Sequence, residues 1–289
     1  MKRLGVGEMT CFVRDGFLKL EGLVPTDLCD AFRAAYVKDC KDDRCGRALL
    51  PVVPWSTPLA GAFGGSEVLS RVFALPELSG AIYSLLGPRC RVDHHVMHIR
   101  EPNQGKSQHL HCDAMIDARD DAFDIQVMIY PQDVTREMGG TLVIPGSHTR
   151  KAGETSIARY QNLAGQVQLT GPAGTILILH HNLWHAGRRN ASNSVRAMYK
   201  IRLNPTGSQT GHWDMSDYDA AKARGPKPLH SPATDKQDVQ GQLSCFHPWA
   251  DIRSAHLDII QRTRLWRLLT GDEEFSVHHF LSRLENEPT

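Results

Sequence analysis

The chain has 289 residues, enough to bury a substantial core in one large domain, and its 33 Lys and Arg against 32 Asp and Glu leave a net charge of +1. That balance offers no basic excess to a nucleic acid or an acidic membrane surface, and it directs attention to a small-molecule partner. The seven cysteines are odd in number and scattered without a CxxC pair, which argues against a disulfide framework and a thiolate zinc site, and no stretch approaches a membrane span.

In chain order, the first twenty residues carry Arg14 and Asp15 where an export signal needs an uninterrupted apolar core, so a cytoplasmic, unexported protein is expected. Thr26-Asp27 ahead of residues 28–37 reads as the N-cap of an amphipathic helix, and residues 78–87 read as a second helix closed by Gly87. Residues 12–88 are therefore expected to be helical support. Within them, residues 40–66 hold Pro51, Pro54, Pro58 and the Gly-rich LAGAFGGS, a composition that suits an irregular loop and a lid.

From 90 to 203 the pattern changes to short β-branched and apolar runs between turn residues: RVDHHVMHIR, DIQVMIYPQDV, TLVIPGSH, QVQLTGPAGTILILHH and RAMYKIRLNP. Closely spaced strands without intervening helices predict a mainly β fold with flanking helices, built on an antiparallel barrel or jelly roll. Residues 205–240 turn polar and proline-spaced, a second lid candidate, before a helix over 250–271 ending at Gly271. The expectation is one domain over 1–289, with lid and C-terminal helix in 205–289.

Fifteen histidines fall mostly in two neighbourhoods, His94 to His111 and His180 to His185. Side chains alternate along a strand, so His111 and Asp113 in QHLHCDAM are expected on one face with Cys112 pointing away. A third ligand must come from another strand, and His185 in LILHHNLWHAG follows an apolar run that returns across the barrel, with His181 as its rival. Two imidazoles and one carboxylate on one face of Fe(II) leave positions open for a chelating co-substrate and O2. His212 to Asp214 and His256 to Asp258 repeat the His-x-Asp spacing, but the former lies in the polar loop and the latter in a helical run, where i and i+2 face apart. His94, His95, His98, His109 and His180 suit supporting or surface positions, and His148 a structural one. For a co-substrate with a second carboxylate, a guanidinium is the fitting cation; Arg196 lies one turn and strand beyond His185, beside Arg188, Arg189 and Arg202 as alternatives.

These residues together resemble the phytanoyl-CoA dioxygenase family of iron(II)- and 2-oxoglutarate-dependent oxygenases. VRDGFLKLEGLVPTDL looks like that family's start, HLHCD its metal-binding His-x-Asp, EMGGTLVIPGSH its Gly-to-PGSH stretch, and LWHAGRRNASNSVR its distal-His-to-Arg segment, from about Phe12 to Leu203. HPWADI and LLTGD add to the likeness. The resemblance implies a double-stranded β-helix core of cupin type, iron(II) on His111, Asp113 and His185, and 2-oxoglutarate paired with Arg196, with Gln108 and Thr141 as further co-substrate contacts. O2 is then the second co-substrate. Asp113 stands where the family's halogenating relatives carry a small residue, so hydroxylation is expected. His180-His181 departs from the acidic residue common there in relatives, and Asn190 is expected to shape a turn.

Two other classes compete on the residues alone. A zinc hydrolase can use two histidines and a carboxylate, but no HExxH is present. A non-catalytic jelly-roll binding module would not need an intact triad. The substrate is expected to be a small molecule, a free intermediate rather than a coenzyme A thioester; oligomeric state is not legible.

Overall fold

The computed structural model describes residues 1–41, 53–113, 121–160, 162–225 and 233–277. It opens with α1 (Val6–Asp15), which the sequence reading did not anticipate. Val6, Met9, Phe12 and Val13 form its buried stripe, and the Glu8 carboxylate accepts the Gly5 N–H at its start. β1 (Phe17–Leu20), α2 (Thr26–Lys41), β2 (Thr57–Pro58), α3 (Leu59–Ala62), α4 (Glu67–Phe73) and α5 (Pro76–Leu86) complete the N-terminal part. Pro76 sits in the first turn of α5 and Gly87 closes it at φ 78°, as expected. The expected cap at Thr26 is corrected by one position: Cys29 N–H donates to the Pro25 carbonyl, which puts Thr26 inside the first turn.

The β core follows as β3 (Cys90–Arg100), β4 (Ile125–Tyr130), β5 (Thr141–Val143), β6 (Val167–Leu169), β7 (Thr175–His180), β8 (His185–Gly187) and β9 (Arg196–Pro205), with α6 (Glu154–Ile157) between β5 and β6. α7 (Tyr218–Lys222), α8 (Val239–Leu243) and α9 (Ile252–Thr270) end the chain. One antiparallel sheet runs β1-β7-β4-β9-β3-β2 and a smaller one β6-β5-β8, the two faces of a jelly roll. The large sheet takes β1 and β2 from the segment read as helical support, a difference explained by a strand too short to read out of VRDGFLKL. No described helix is long and apolar enough to cross a membrane.

Alternation on the large sheet sorts its residues into two layers. Ile125, Val127, Ile129, Ile176, Ile178, Tyr199 and Ile201 pack outward with Phe12, Phe32, Leu78 and Trp266 of the helices. Met128, Tyr130, Leu177 and Leu179 face inward, toward Val143 and Leu169 of the small sheet. With both faces covered, β4 and β7 are buried at every position, which is why they read as continuous apolar runs.

Of the first lid candidate, residues 42–52 lie outside the described residues; residues 53–66 include β2, paired with β3, and α3. In the described parts of the second, Gln209 donates to the Leu85 and Phe123 carbonyls, Trp213 packs against Trp266, and α8 lies on α1, so this segment's apolar residues join the helical layer. Residues 226–232 lie outside the described residues.

Candidate metal centre

The inward face of β9 carries Arg196, Met198 and Lys200, which with His98 and Arg100 of β3, Met128 and Tyr130 of β4, Thr141 of β5, and Gln108 line a pocket of about 50 Å³. His111 and His185 stand at its edge. A larger cavity, about 560 Å³, lies between α3, α5 and the start of β3 and contains no comparable ligand set.

His111, Asp113 and His185 come together so that their ligand atoms lie within 4.8 Å of one another, and among the described residues they are the one such group. The Nε2 atoms of both histidines stand 3.8 Å from Asp113 Oδ1. Their other ring nitrogens are engaged: His111 Nδ1 lies 2.9 Å from the His109 carbonyl and His185 Nδ1 2.9 Å from the Leu183 carbonyl. A carbonyl can only accept, so each Nδ1 carries the hydrogen and each Nε2 keeps its lone pair available to a metal. Burial pushes the His185 pKa down to about 4 against the opposing pull of the Asp113 carboxylate, with His111 and Lys200 adding smaller downward contributions, which keeps it neutral and ligand-competent. Burial works to raise the Asp113 carboxyl, but His185 and Lys200 beside it hold it below the usual carboxylate range. Two neutral imidazoles and one carboxylate are a donor set that suits a divalent iron.

The segment carrying His111 and Asp113 differs from the expected strand. His111 makes a single antiparallel bridge to His185, and Asp113 N–H donates to the His181 carbonyl at 3.2 Å. Cys112 does point away, into the cluster of Leu110, Leu142 and Ile144. The competing motifs are occupied elsewhere. His212 faces the Ser208 carbonyl, Asp258 is held by Thr149 and Arg150, and the ring of His181 lies against the Asp124 backbone. His148 is buried against the Val13 carbonyl, and His95 meets Tyr199 on the outer face.

Arg196, the first residue of β9, is 6 % exposed. Its Nη1 donates to the carbonyls of Met138, Gly140 and Arg188 at 2.6, 3.2 and 3.2 Å. Among the described residues its Nε and Nη2 have no hydrogen-bond partner and it has no carboxylate partner. Burial lowers its pKa, so a charge held here without a counter-ion is costly, a cost that a bound anion could offset. Gly139 and Gly140 make this cradle: both have positive φ, 95° and 60°, and a Cβ on Gly139 would stand 2.2 Å from the Arg189 carbonyl. Tyr130 Oη donates to Thr141 Oγ1 at 3.0 Å in the same pocket. Gln108 Oε1 accepts the Gly187 N–H at 2.8 Å, tying its amide to β8. Asn190, fully buried, donates to the carbonyls of Arg100, Glu101 and Ser194 and shapes the turn as expected.

Lys200, Arg100 and Tyr130 were not singled out from the sequence. The available cue was periodicity: from Arg196, alternate positions on one strand reach Lys200 and Arg202.

A model of the phytanoyl-CoA dioxygenase (PhyH) family matches residues 12–198. The chain is 25% identical over 185 residues to L-proline trans-4-hydroxylase of Streptomyces griseoviridis, spanning 53% of this chain and 69% of that one. Among solved structures, the non-heme alpha ketoglutarate dependent carbocyclase SnoK from nogalamycin biosynthesis aligns at a TM-score of 0.53 and 21% identity over 70% of this chain and 84% of that one. EctD from S. alaskensis with 2-oxoglutarate and 5-hydroxyectoine aligns at 0.54 and 21% identity over 71% and 77%. These two likenesses show the fold.

Proposed function

This chain belongs to the phytanoyl-CoA dioxygenase (PhyH) family, and from that membership and the pocket's geometry we propose that His111, Asp113 and His185 hold iron(II) while Arg196 holds the distal carboxylate of 2-oxoglutarate. The protein is a non-haem iron(II)- and 2-oxoglutarate-dependent dioxygenase with O2 as co-substrate. We assign it hydroxylation of a small organic substrate. The curated relative that hydroxylates L-proline supports that substrate class. The chain is read as a single domain, which is supported by β1 and β2 joining the same sheet as β3.

The observation that carries the site assignment is the convergence of His111 Nε2, His185 Nε2 and Asp113 Oδ1 beside a buried guanidinium that, among the described residues, has no carboxylate partner. Bound iron supplies the coupling of 2-oxoglutarate decarboxylation and O2 reduction to oxidation of the substrate, with release of succinate and CO2. The chain's own part is orientation. The His109 and Leu183 carbonyls fix the two imidazole tautomers, Arg196 fixes one end of the co-substrate through its free guanidinium edge, and the Thr141 hydroxyl and Gln108 amide border the space between. Leu177, Leu179 and Met128 behind them keep water from the inner end.

The test is an anaerobic titration with Fe(II) and 2-oxoglutarate, followed by the visible charge-transfer absorption of the chelate. Saturable absorption in the wild type and its loss in His111→Ala are expected. No absorption from folded wild-type protein would overturn the assignment.

A further inference from the structure

The inward face of β9 does more than carry Arg196. Four residues on, Lys200 is 7 % exposed, and its Nζ forms a hydrogen-bonded ion pair with Asp113 Oδ2. The two oxygens of Asp113 are thereby divided: Oδ1 faces both imidazoles at 3.8 Å, and Oδ2 faces the ammonium. Two residues further, Arg202 Nη1 donates to the Asp113 backbone carbonyl at 3.0 Å, while its Nε is paired with Asp93. One strand therefore grips the ligand residue at both its side chain and its backbone.

This grip matters because, among the described residues, Asp113 has little other support. It lies outside any strand, and its N–H makes a 3.2 Å bond to the His181 carbonyl. β9, in contrast, is paired on both sides, with β4 and β3, and is among the most fixed parts of the sheet. Among the described residues Asp113 is the one carboxylate that pairs with Lys200, and a buried ammonium is expensive without such a partner.

We propose that Lys200 is a positioning residue for the metal, holding the outer oxygen of Asp113 so that a single carboxylate oxygen is offered between the two imidazoles. This rests on the assignment of His111, Asp113 and His185 as the metal ligands. A carboxylate free to turn can present both oxygens and occupy an extra coordination position; one held by a charge-assisted hydrogen bond leaves that position to the chelating co-substrate or O2. The role needs no contact between Lys200 and the substrate.

The experiment uses Co(II) as the probe, titrated into the full-length apo-protein and followed by its d–d absorption, which reports affinity and coordination separately from turnover. Wild type, His111→Ala, Lys200→Met and Lys200→Arg are compared, with thermal unfolding to confirm folding. Lys200→Met is expected to bind Co(II) about 10- to 100-fold more weakly and with an altered d–d spectrum, the usual consequence of losing a partner of a metal ligand. Lys200→Arg, which keeps a cationic donor, is expected to recover most of the affinity and the native spectrum. If Lys200→Met does not fold, Lys200→Gln is read against the same two criteria. Unchanged or tighter binding with the wild-type spectrum in the Met or Gln variant overturns the proposal. If His111→Ala binds Co(II) like the wild type, or the wild type does not bind it, the ligand assignment itself fails and the role of Lys200 falls with it.

Discussion

His111 and His185 are backbone partners as well as pocket neighbours: the His111 N–H donates to the His185 carbonyl at 3.0 Å and the His185 N–H returns the bond to the His111 carbonyl at 2.7 Å. Two side chains from distant parts of the chain are thus fixed side by side by main-chain atoms that no side-chain substitution removes.

His111→Ala is therefore expected to abolish metal binding while leaving the fold intact. The bridge survives and the lost ring is partly exposed, so the stability change should stay within about 1 kcal/mol. Chemical denaturation alongside metal titration checks both halves; a variant that still binds Fe(II) with wild-type affinity contradicts the ligand assignment.

Arg196→Lys should raise the half-saturating concentration of 2-oxoglutarate about 10- to 100-fold, the equivalent of roughly 1.5–3 kcal/mol for charge-assisted hydrogen bonds lost with the guanidinium fork. Lysine also lacks the nitrogen that spans the Met138, Gly140 and Arg188 carbonyls. Succinate production against 2-oxoglutarate concentration measures this. An unchanged value would place the distal carboxylate on another residue.

Gly139→Ala should damage the same cradle from behind. Its φ of 95° and the 2.2 Å approach of a Cβ to the Arg189 carbonyl force the turn to shift, at a cost on the order of 2 kcal/mol or more. The displaced Met138 and Gly140 carbonyls would misplace Arg196, so weaker 2-oxoglutarate binding should accompany the lower denaturation midpoint. Loss of stability with unaltered binding would separate the turn from the anion site.

Acid should destabilise the protein through a second set of histidines. Burial, reinforced by Arg262, pushes His148 down to about 3 and His247 down to about 4. Their folded pKa values lie below the unfolded value near 6.5, so the folded state binds fewer protons. The stability they contribute is complete above about pH 6.5 and is lost as pH falls from there toward about 4 for His247 and about 3 for His148, on the order of 2 kcal/mol for each at pH 5. Denaturant midpoints for wild type and His148→Gln between pH 7.5 and 5 test this; parallel profiles would show that His148 is not a source of the slope.

The β core was legible because strands buried on both faces write themselves as apolar runs, as in TILILH, and because turn residues punctuate them. The pairing of His111 with Asp113 was legible from a spacing of two, although the segment proved to be a bridged loop rather than a strand. α1 escaped notice because its four apolar contacts are interleaved with Gly7, Glu8 and Arg14, and only the packed stripe reveals them. Lys200 escaped for a different reason. A lysine in RAMYKIRL reads as solvent-facing until the strand's inner side is known, and its partner lies far away in sequence. The lid readings rested on proline and glycine content, which marks irregular chain without saying which surface it covers.

β8 has three residues, from His185 to Gly187, and pairs with the three of β5. So short a strand offers few contacts to offset the entropy of closing the loop that begins at His111. Because β8 carries His185 and adjoins the bridge to His111, a local opening of this strand would disperse the group formed by His111, Asp113 and His185, which ties the integrity of that group to three residues of chain.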